Sequence, residues 1–169
     1  ALYLQKRTSA ADAVRHVHNG DTIIVSTGVG EPPTLLTELS TQRHSFQNVK
    51  VAQILALRKY AYFDPETVAN VRHVALFYGP ASRAGGQAGW VDFTPNYFSE
   101  IPAQIERGQI PAEVVFSMAS PMDAHGYFSL SLGAAHTMAA VAKARAVLPE
   151  VNPNVPFAYG HCLVHVSQV

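Results

Sequence analysis

The sequence predicts an α/β fold: a mostly parallel sheet with helices on both faces. Short, nearly continuous apolar runs alternate with amphipathic segments along the chain, and strands of this kind are typical of sheets that are buried on both sides. The chain has 169 residues, of which 48% are hydrophobic and 14% are charged, enough for one domain with a large core. The small share of charged residues also predicts that a second domain or a subunit covers part of the surface.

The strands and helices follow from these apolar patterns. Strands are predicted where β-branched and other apolar residues cluster, at residues 21–27, 49–57, 71–79, 112–120, 145–151 and 162–169. Helices are predicted over residues 9–19, from Pro33 onward, over residues 94–108, and along the stripe Ala135, Met138, Ala139 and Ala142. Ser9 is a typical helix cap and Gly20 a typical left-handed exit. Residues 81–89 contain too much glycine to predict a helix.

Charge and composition exclude several classes of function. Twelve basic and twelve acidic residues give a formal net charge of zero, without the basic surface that nucleic-acid or membrane binding needs. A single cysteine, Cys162, excludes an internal disulfide and favours a cytoplasmic location. The eight histidines show no metal-ligand spacing such as HExxH, so we expect no metal site. No apolar run is long enough to span a bilayer.

Three polar stretches follow predicted strands, at the edge where parallel α/β sheets bind their ligands. The first, "GVGEP", contains Gly28, Gly30 and Glu31. Its glycines would let a ligand approach the backbone, and the start of the next helix would offer free N–H groups. The pattern is neither a dinucleotide-binding fingerprint nor a P-loop. It is also typical of a tight turn in which Glu31 favours the helix dipole, and that simpler interpretation stays open.

The second stretch, "FTPNYFSEIP", spans residues 93–102 and offers Asn96 and Tyr97 as polar contacts for a ligand. It can equally be the start of a helix that is capped by Asn96 or Ser99. The pattern favours the helix start.

The third stretch, "ASPMDAHGYFSLSLG", spans residues 119–133. Asp123 and Gly126 are residues that close turns, since an aspartate side chain can accept local N–H groups and glycine tolerates a positive φ. In a functional interpretation Asp123 orients the imidazole of His125, which then donates or accepts a proton. The residues favour the turn and leave the second interpretation open.

These three stretches, followed by "EVNPNVP", resemble the acetyl-CoA hydrolase/transferase family, which includes 4-hydroxybutyrate, butyrate and succinate CoA-transferases. The resemblance extends from about residue 19 to Val169. It implies the CoA-transferase fold, built from two tandem α/β halves, with residues 1–169 as the N-terminal half. It also implies that coenzyme A is a substrate, with no tightly bound cofactor.

The family resemblance implies a covalent exchange of CoA between carboxylic acids. A glutamate attacks an acyl-CoA and passes through an acyl-glutamyl anhydride to a glutamyl-CoA thioester. That glutamate lies in the second half, so the resemblance implies no catalytic residue in this chain and no turnover by it alone. The residues implied to line the acyl side of the cleft are Gly28, Gly30, Glu31, Asn96, Tyr97, Asp123, His125, Gly126 and Tyr127.

We expect the polypeptide to continue beyond Val169 into its own C-terminal domain, with acyl-CoA and carboxylates as substrates, and we expect a homo-oligomer. Phe157 stands where relatives commonly have an arginine, which leaves the choice of acid open. Three alternatives remain: a small-molecule or sugar-phosphate binding domain of related fold, an acyl-CoA hydrolase, and a half with a purely structural role.

Overall fold

The computed structural model describes residues 2–169, which form a main sheet of six strands and a separate sheet of two. The strands are β1 (Thr22–Val25), β2 (Val49–Gln53), β3 (Val71–Ala75), β4 (Asp92–Phe93), β5 (Val114–Ala119), β6 (Tyr127–Ser129), β7 (Ala146–Val151) and β8 (Leu163–His165). The main sheet has the order β4-β3-β2-β1-β5-β7, and all its pairings are parallel. The predicted parallel sheet is confirmed, with β1 and β2 at its centre.

Helices cover both faces of the main sheet, as predicted. They are α1 (Leu2–Lys6), α2 (Ala10–Ala13), α3 (Pro33–Thr41), α4 (Pro80–Ala88), α5 (Ile101–Glu106) and α6 (Thr137–Val141). Adjacent residues of β1 point to opposite faces, and Ile23 and Ile24 belong to two different core clusters. Leu36 of α3 packs in the first cluster, whereas Ile105 of α5 and Val141 of α6 pack in the second. No helix among residues 2–169 combines the length and apolar character that crossing a membrane requires.

Strand β7 contains a proline in its interior because it lies at the edge of the sheet. The N–H groups of Ala146 and Asn152 both donate to carbonyl groups on the β5 side. The N–H groups of successive residues point to alternate sides of a strand, so the backbone nitrogen of Pro149 faces away from β5. Because Pro149 has no N–H group at a position that faces away from β5, the sheet loses no hydrogen bond there.

The structure corrects the prediction that residues 81–89 form no helix, since α4 covers nearly all of them. Its glycines are explained by close packing rather than by flexibility. A Cβ atom on Gly85 would lie 2.5 Å from a methyl group of Val91, and one on Gly86 would lie 2.4 Å from the ring of Tyr78. Glycine here lets the helix approach its neighbours, at a cost in helix propensity of about 1 kcal/mol per residue.

The first predicted helix, over residues 9–19, is shorter in the structure. Its cap is confirmed, because the Asp12 N–H donates to Ser9 Oγ at 3.1 Å. After Ala13 the chain forms only one turn of 3-10 helix, Val14–His16, and then becomes extended. The helix predicted over residues 94–108 is likewise confined to α5.

The last predicted strand is confirmed only over β8, and it does not join the main sheet. It pairs antiparallel with β6, placing Tyr127 opposite His165. Strand β6 lies inside the stretch 119–133, whose turn residues had indicated a loop. Pairing between segments this far apart in sequence leaves no local pattern by which it could be predicted.

Two histidines lie in the core. His73 in β3 is 1% exposed, with its ring 4.2 Å from that of Phe63, and burial lowers its pKa to about 3. His136, just before α6, is also 1% exposed. Burial lowers the pKa of His136 to about 4, although the Val25 backbone offsets part of this effect. Both rings are therefore neutral at pH 7, since burial penalises the charged form.

Candidate functional site

The three stretches singled out in the sequence all lie at the carboxyl edge of the main sheet. Residues 28–31 follow β1, residues 94–100 follow β4, and residues 120–126 follow β5. Strands β1 and β5 are neighbours, but β4 is three strands away from β1. At about 4.8 Å between neighbouring strands, β4 is about 14 Å from β1. The second stretch is thus separated from the other two.

The loop after β1 contacts the segment between β5 and α6 through two glycines, one of which, Gly133, lies in the turn after β6. A Cβ atom on Gly30 would lie 2.5 Å from the Cα of Gly133 and 3.0 Å from the Cβ of Ser26. Ser26 lies beneath this contact, and its hydroxyl group bonds those of Ser117 at 2.7 Å and Thr137 at 3.0 Å. The absence of side chains at the two glycines therefore sets the distance between the loops.

Three of the backbone N–H groups at the first stretch are already used. Those of Gly28, Gly30 and Glu31 donate to carbonyl groups at 3.0–3.1 Å. The start of α3 is also occupied, because the N–H groups of Thr34 and Leu35 donate to a carboxylate oxygen of Glu150 at 2.9 and 3.0 Å. The expectation that this helix start offers free donors is therefore wrong.

Glu31 is buried and does not act on the helix dipole. Its side chain is 5% exposed, and it accepts from Gln53 Nε2 at 2.7 Å, from the Leu57 N–H at 3.0 Å and from the Tyr60 hydroxyl at 2.7 Å. Burial, followed by this bond to Glu31, raises the pKa of Tyr60 well above its usual value. The carboxylate thus contacts the end of β2 and the segment that follows it, and Glu31 precedes the first turn of α3.

Asp123 closes a turn, as one of the two interpretations predicted. Its Oδ1 atom accepts from the backbone N–H groups of His125 at 2.9 Å and Tyr127 at 2.8 Å. Gly126 has a φ of +89°, and a Cβ atom there would lie 2.8 Å from the ring of His165. The carboxylate therefore holds the backbone of His125 and not its imidazole, which is exposed at the carboxyl edge.

The second stretch is held by its own backbone contacts. Asn96 Nδ2 donates to the carbonyl oxygens of Leu76 at 3.3 Å and Thr94 at 2.6 Å. Glu100 accepts from the Tyr97 N–H at 3.2 Å. The stretch does begin a helix, as the pattern favoured, but the predicted caps are wrong: Tyr97 and Glu100, and not Asn96 or Ser99, form the capping box of the turn that precedes α5. The side chain of Tyr97 is 76% exposed.

Within residues 2–169 the nine predicted site residues do not share a cavity, and two of them, Gly30 and Glu31, are buried. A groove of about 530 Å³ lies between α1, the start of α3 and β7, and a pocket of about 220 Å³ lies over one face of β1–β4. None of the nine lines either cavity. Across the same part of the chain, no group of three or more His, Cys, Asp or Glu side chains could hold a metal ion.

The sequence analysis missed an exposed apolar surface at the same edge. We define the strand-end segments as running from the last residue of each parallel strand to the next α-helix, or to the next strand where no helix intervenes. Of twelve large apolar side chains that are exposed among residues 2–169, ten lie in these segments. They are Val29, Leu57, Phe77, Phe93, Tyr97, Phe98, Tyr127, Leu132, Val151 and Tyr159. The sequence pattern that could have predicted this surface is the presence of large apolar residues shortly after the predicted strands.

Comparison with known proteins identifies the family. The profile described as the acetyl-CoA hydrolase/transferase N-terminal domain matches residues 1–169. The chain is 38% identical to a succinyl-CoA:cyclohexane-1-carboxylate CoA transferase from Geobacter metallireducens, covering 99% of this chain and 38% of the relative. It is 29% identical to a 4-hydroxybutyrate coenzyme A transferase from Clostridium kluyveri, covering 99% and 39% respectively.

Solved structures give the same result. RipA from Yersinia pestis superposes with a TM-score of 0.91 at 26% identity, over 99% of this chain and 42% of RipA. A 4-hydroxybutyrate CoA-transferase from Porphyromonas gingivalis superposes with a TM-score of 0.75 at 25% identity, over 99% and 38%. The chain spans about two-fifths of the length of these relatives. With its whole length matched by the profile, the chain belongs to the acetyl-CoA hydrolase/transferase family and corresponds to that family's N-terminal domain.

Proposed function

We propose that this chain is the N-terminal half of an enzyme that transfers CoA between carboxylic acids. The observation that carries the proposal is the match of the whole chain to a family in which the relatives named above are CoA transferases. The chain covers 38–39% of those two relatives, which supports a further part of the protein beyond this half. In the proposal, that part supplies the attacking glutamate. Substrate contacts in this half would come from the strand-end segments.

The exposed apolar surface supports a cleft at the carboxyl edge. Val29, Leu57 and Phe77 follow three neighbouring strands of the sheet, and each is more than half exposed. Large apolar side chains exposed after three neighbouring strands support an edge that another domain or a ligand covers. A second half lying on this edge would exclude water from the cleft. An acyl anhydride intermediate needs this exclusion because water would hydrolyse it.

The proposed reaction proceeds by exchange at carbonyl carbons. The glutamate carboxylate adds to the thioester carbonyl, the C–S bond breaks, and CoA leaves as a thiolate. The thiolate attacks the glutamyl carbonyl of the anhydride, releases the first acid as a carboxylate and forms the glutamyl-CoA thioester. An acceptor carboxylate then repeats the two steps in reverse. No oxidant or metal is needed, and each step conserves charge.

The test uses the full-length protein with succinyl-CoA as donor and acetate as acceptor. We expect acetyl-CoA to form, and we expect borohydride to inactivate the enzyme only when acyl-CoA is present, since it reduces a glutamyl thioester to an alcohol. Compared with the unmodified residue, the reduced glutamate has lost one oxygen and gained about two hydrogens in place of its carboxyl group, a mass change that peptide mass spectrometry reads. Release of free CoA without acetyl-CoA would indicate the hydrolase, and the absence of either product with a panel of acids would refute the proposal.

Substitution of His125 tests the loop after β5. His125→Ala in the full-length enzyme is expected to lower the exchange rate by about tenfold or more if the imidazole assists proton transfer or binds the carboxylate. Stability should change little, because the ring is exposed and the turn is held by Asp123. His44→Ala is the matched control, because His44 is also exposed and lies after α3, outside the strand-end segments. An equal rate in both variants would remove His125 from the site.

A further inference from the structure

A single carboxylate joins the two central strand-end segments. Glu31 is in the loop after β1, whereas its three donors belong to other segments: Gln53 ends β2, and Leu57 and Tyr60 lie in the segment that follows. The Gly28 N–H reinforces the connection by donating to the Leu55 carbonyl oxygen at 3.1 Å. The loop after β1 and residues 54–60 are thus held together at the centre of the carboxyl edge.

Glu31 has no room for a substrate. One oxygen accepts from Gln53 and Leu57, the other accepts from Tyr60, and the residue is 95% buried, the complement of its 5% exposure. The ion pairs found among residues 2–169 do not include it; nearby Lys59 pairs instead with Asp64 at 2.7 Å. The carboxylate is therefore stabilised by three hydrogen bonds from uncharged donors. Because the acceptor is charged, these bonds are stronger than hydrogen bonds between two neutral groups.

We propose that Glu31 is a positioning residue for CoA transfer, and this inference rests on the function proposed above. By fixing residues 54–60 against the loop after β1, it holds Val29 and Leu57 at the carboxyl edge. These side chains are 62% and 55% exposed, and they form a wall of the acyl pocket once the second half covers them. Glu31 acts through these neighbours and touches neither the acyl group nor CoA.

Donor and acceptor chemistry distinguishes this role from a catalytic one. In Glu31→Gln the amide oxygen can accept from Gln53 and Leu57, while the amide nitrogen donates to the Tyr60 hydroxyl, which can rotate to accept. All three contacts therefore survive without the charge. In Glu31→Ala three buried donors lose their acceptor. The double variant Glu31→Gln/Tyr60→Phe keeps the volumes of the two side chains nearly unchanged. It leaves the new amide N–H group of residue 31 without the Tyr60 hydroxyl as its acceptor.

The experiment measures two quantities in the full-length enzyme: KM and kcat for the acyl-CoA donor, and hydrogen exchange at the Leu57 amide. In Glu31→Ala we expect KM to rise by about tenfold and the Leu57 amide to exchange at least about tenfold faster, which is the scale of one buried hydrogen bond. The double variant should shift in the same direction by less. In Glu31→Gln we expect KM and the exchange rate of the Leu57 amide to stay within about threefold of the wild type, because the neutral isostere keeps the hydrogen bonds that alanine removes.

Glu150→Ala is the matched control, because Glu150 also accepts three hydrogen bonds, from Thr34 and Leu35, and none of them comes from residues 54–60. It should destabilise the protein while leaving KM and the Leu57 amide unaltered. Loss of transfer in Glu31→Gln with a protected Leu57 amide would show that the carboxylate takes part in the chemistry and would overturn the proposal. An unchanged KM in Glu31→Ala would also overturn it. If the wild type transfers no CoA, the proposed function fails, whereas Leu57 exchange in the variants still tests whether Glu31 fixes the segment.

Discussion

Replacing Gly30 with alanine is expected to lower the free energy of unfolding by about 3 kcal/mol, the upper part of the range for overpacking a well-packed site. The new Cβ atom would lie 2.5 Å from the Cα of Gly133 and 3.2 Å from its N atom. Both are backbone atoms, so no side-chain rotation relieves the clash. The loops after β1 and β5 must separate, which would also open the carboxyl edge at the centre of the proposed cleft. Urea unfolding of wild type and variant measures the change.

Two other glycines provide graded controls. Gly133→Ala places its Cβ atom 3.1 Å from the Gly30 Cα, so it should cost less than Gly30→Ala. Gly79→Ala meets only the Cδ1 atom of Leu55, at 2.9 Å, and this flexible end can move. We expect that variant to lose about 0.5 kcal/mol, much of it from weaker capping of α4. Equal destabilisation by Gly30→Ala and Gly79→Ala would show that the contact between the loops does not constrain the fold.

Acidification is expected to destabilise the protein by about 3–4 kcal/mol between pH 6 and pH 4.5, through His73 and His136 alone. Their pKa values in the folded chain are lowered to about 3 and about 4, whereas both are near 6.5 in an unfolded chain. Above pH 6.5 both states are neutral and the full stability is present. Below pH 6.5 the unfolded state binds protons that the folded state does not, so stability falls as the pH falls towards the folded pKa values.

The pH effect is measured by urea unfolding between pH 4.5 and pH 8. His73→Phe removes one titrating group while keeping a ring between Tyr62 and Phe63, and it should roughly halve the contribution of the two histidines to the pH dependence. His161→Ala, at an exposed site, should leave it unaltered. Histidine NMR signals give a second measurement that needs no variant. Titration of both buried rings near pH 6.5 in the folded protein would contradict the prediction.

Local patterns predicted the order and type of most elements. Apolar runs located all the parallel strands except the two-residue β4, because a strand buried on both faces must be apolar along its length. The Ser9 cap and the positive φ of Gly20 were predicted from chemistry that depends on residues close in sequence, although Gly20 is not the exit of a helix because the helical turns end at His16. Helix α4 was missed because its glycines are selected by contacts with Tyr78 and Val91. Such contacts are not visible in a pattern of glycine and alanine.

The sequence predicted where the candidate site residues lie in the fold better than it predicted their hydrogen-bond partners. That Glu31, Asn96 and Asp123 follow strands of one parallel sheet places them at the same edge. Their partners could not be predicted: Glu31 accepts from Gln53 and from Tyr60, twenty-nine positions away. Asp123 binds only its own turn, as its local spacing indicated. The local contacts of Asp123 were therefore predictable from sequence, whereas the contacts of Glu31 across the fold were not, and Asn96 did not form the local cap predicted for it.

The sequence by itself determined the parallel α/β class and the family, since both are written in apolar periodicity and in contiguous motifs. The tertiary structure alone decided that Gly30 and Gly133 touch, that β6 pairs with β8, and that Glu31 is enclosed. The physical reason is the range of the interactions. Periodicity and caps act over a few residues, whereas packing and buried hydrogen bonds depend on which distant segments the closed fold brings together.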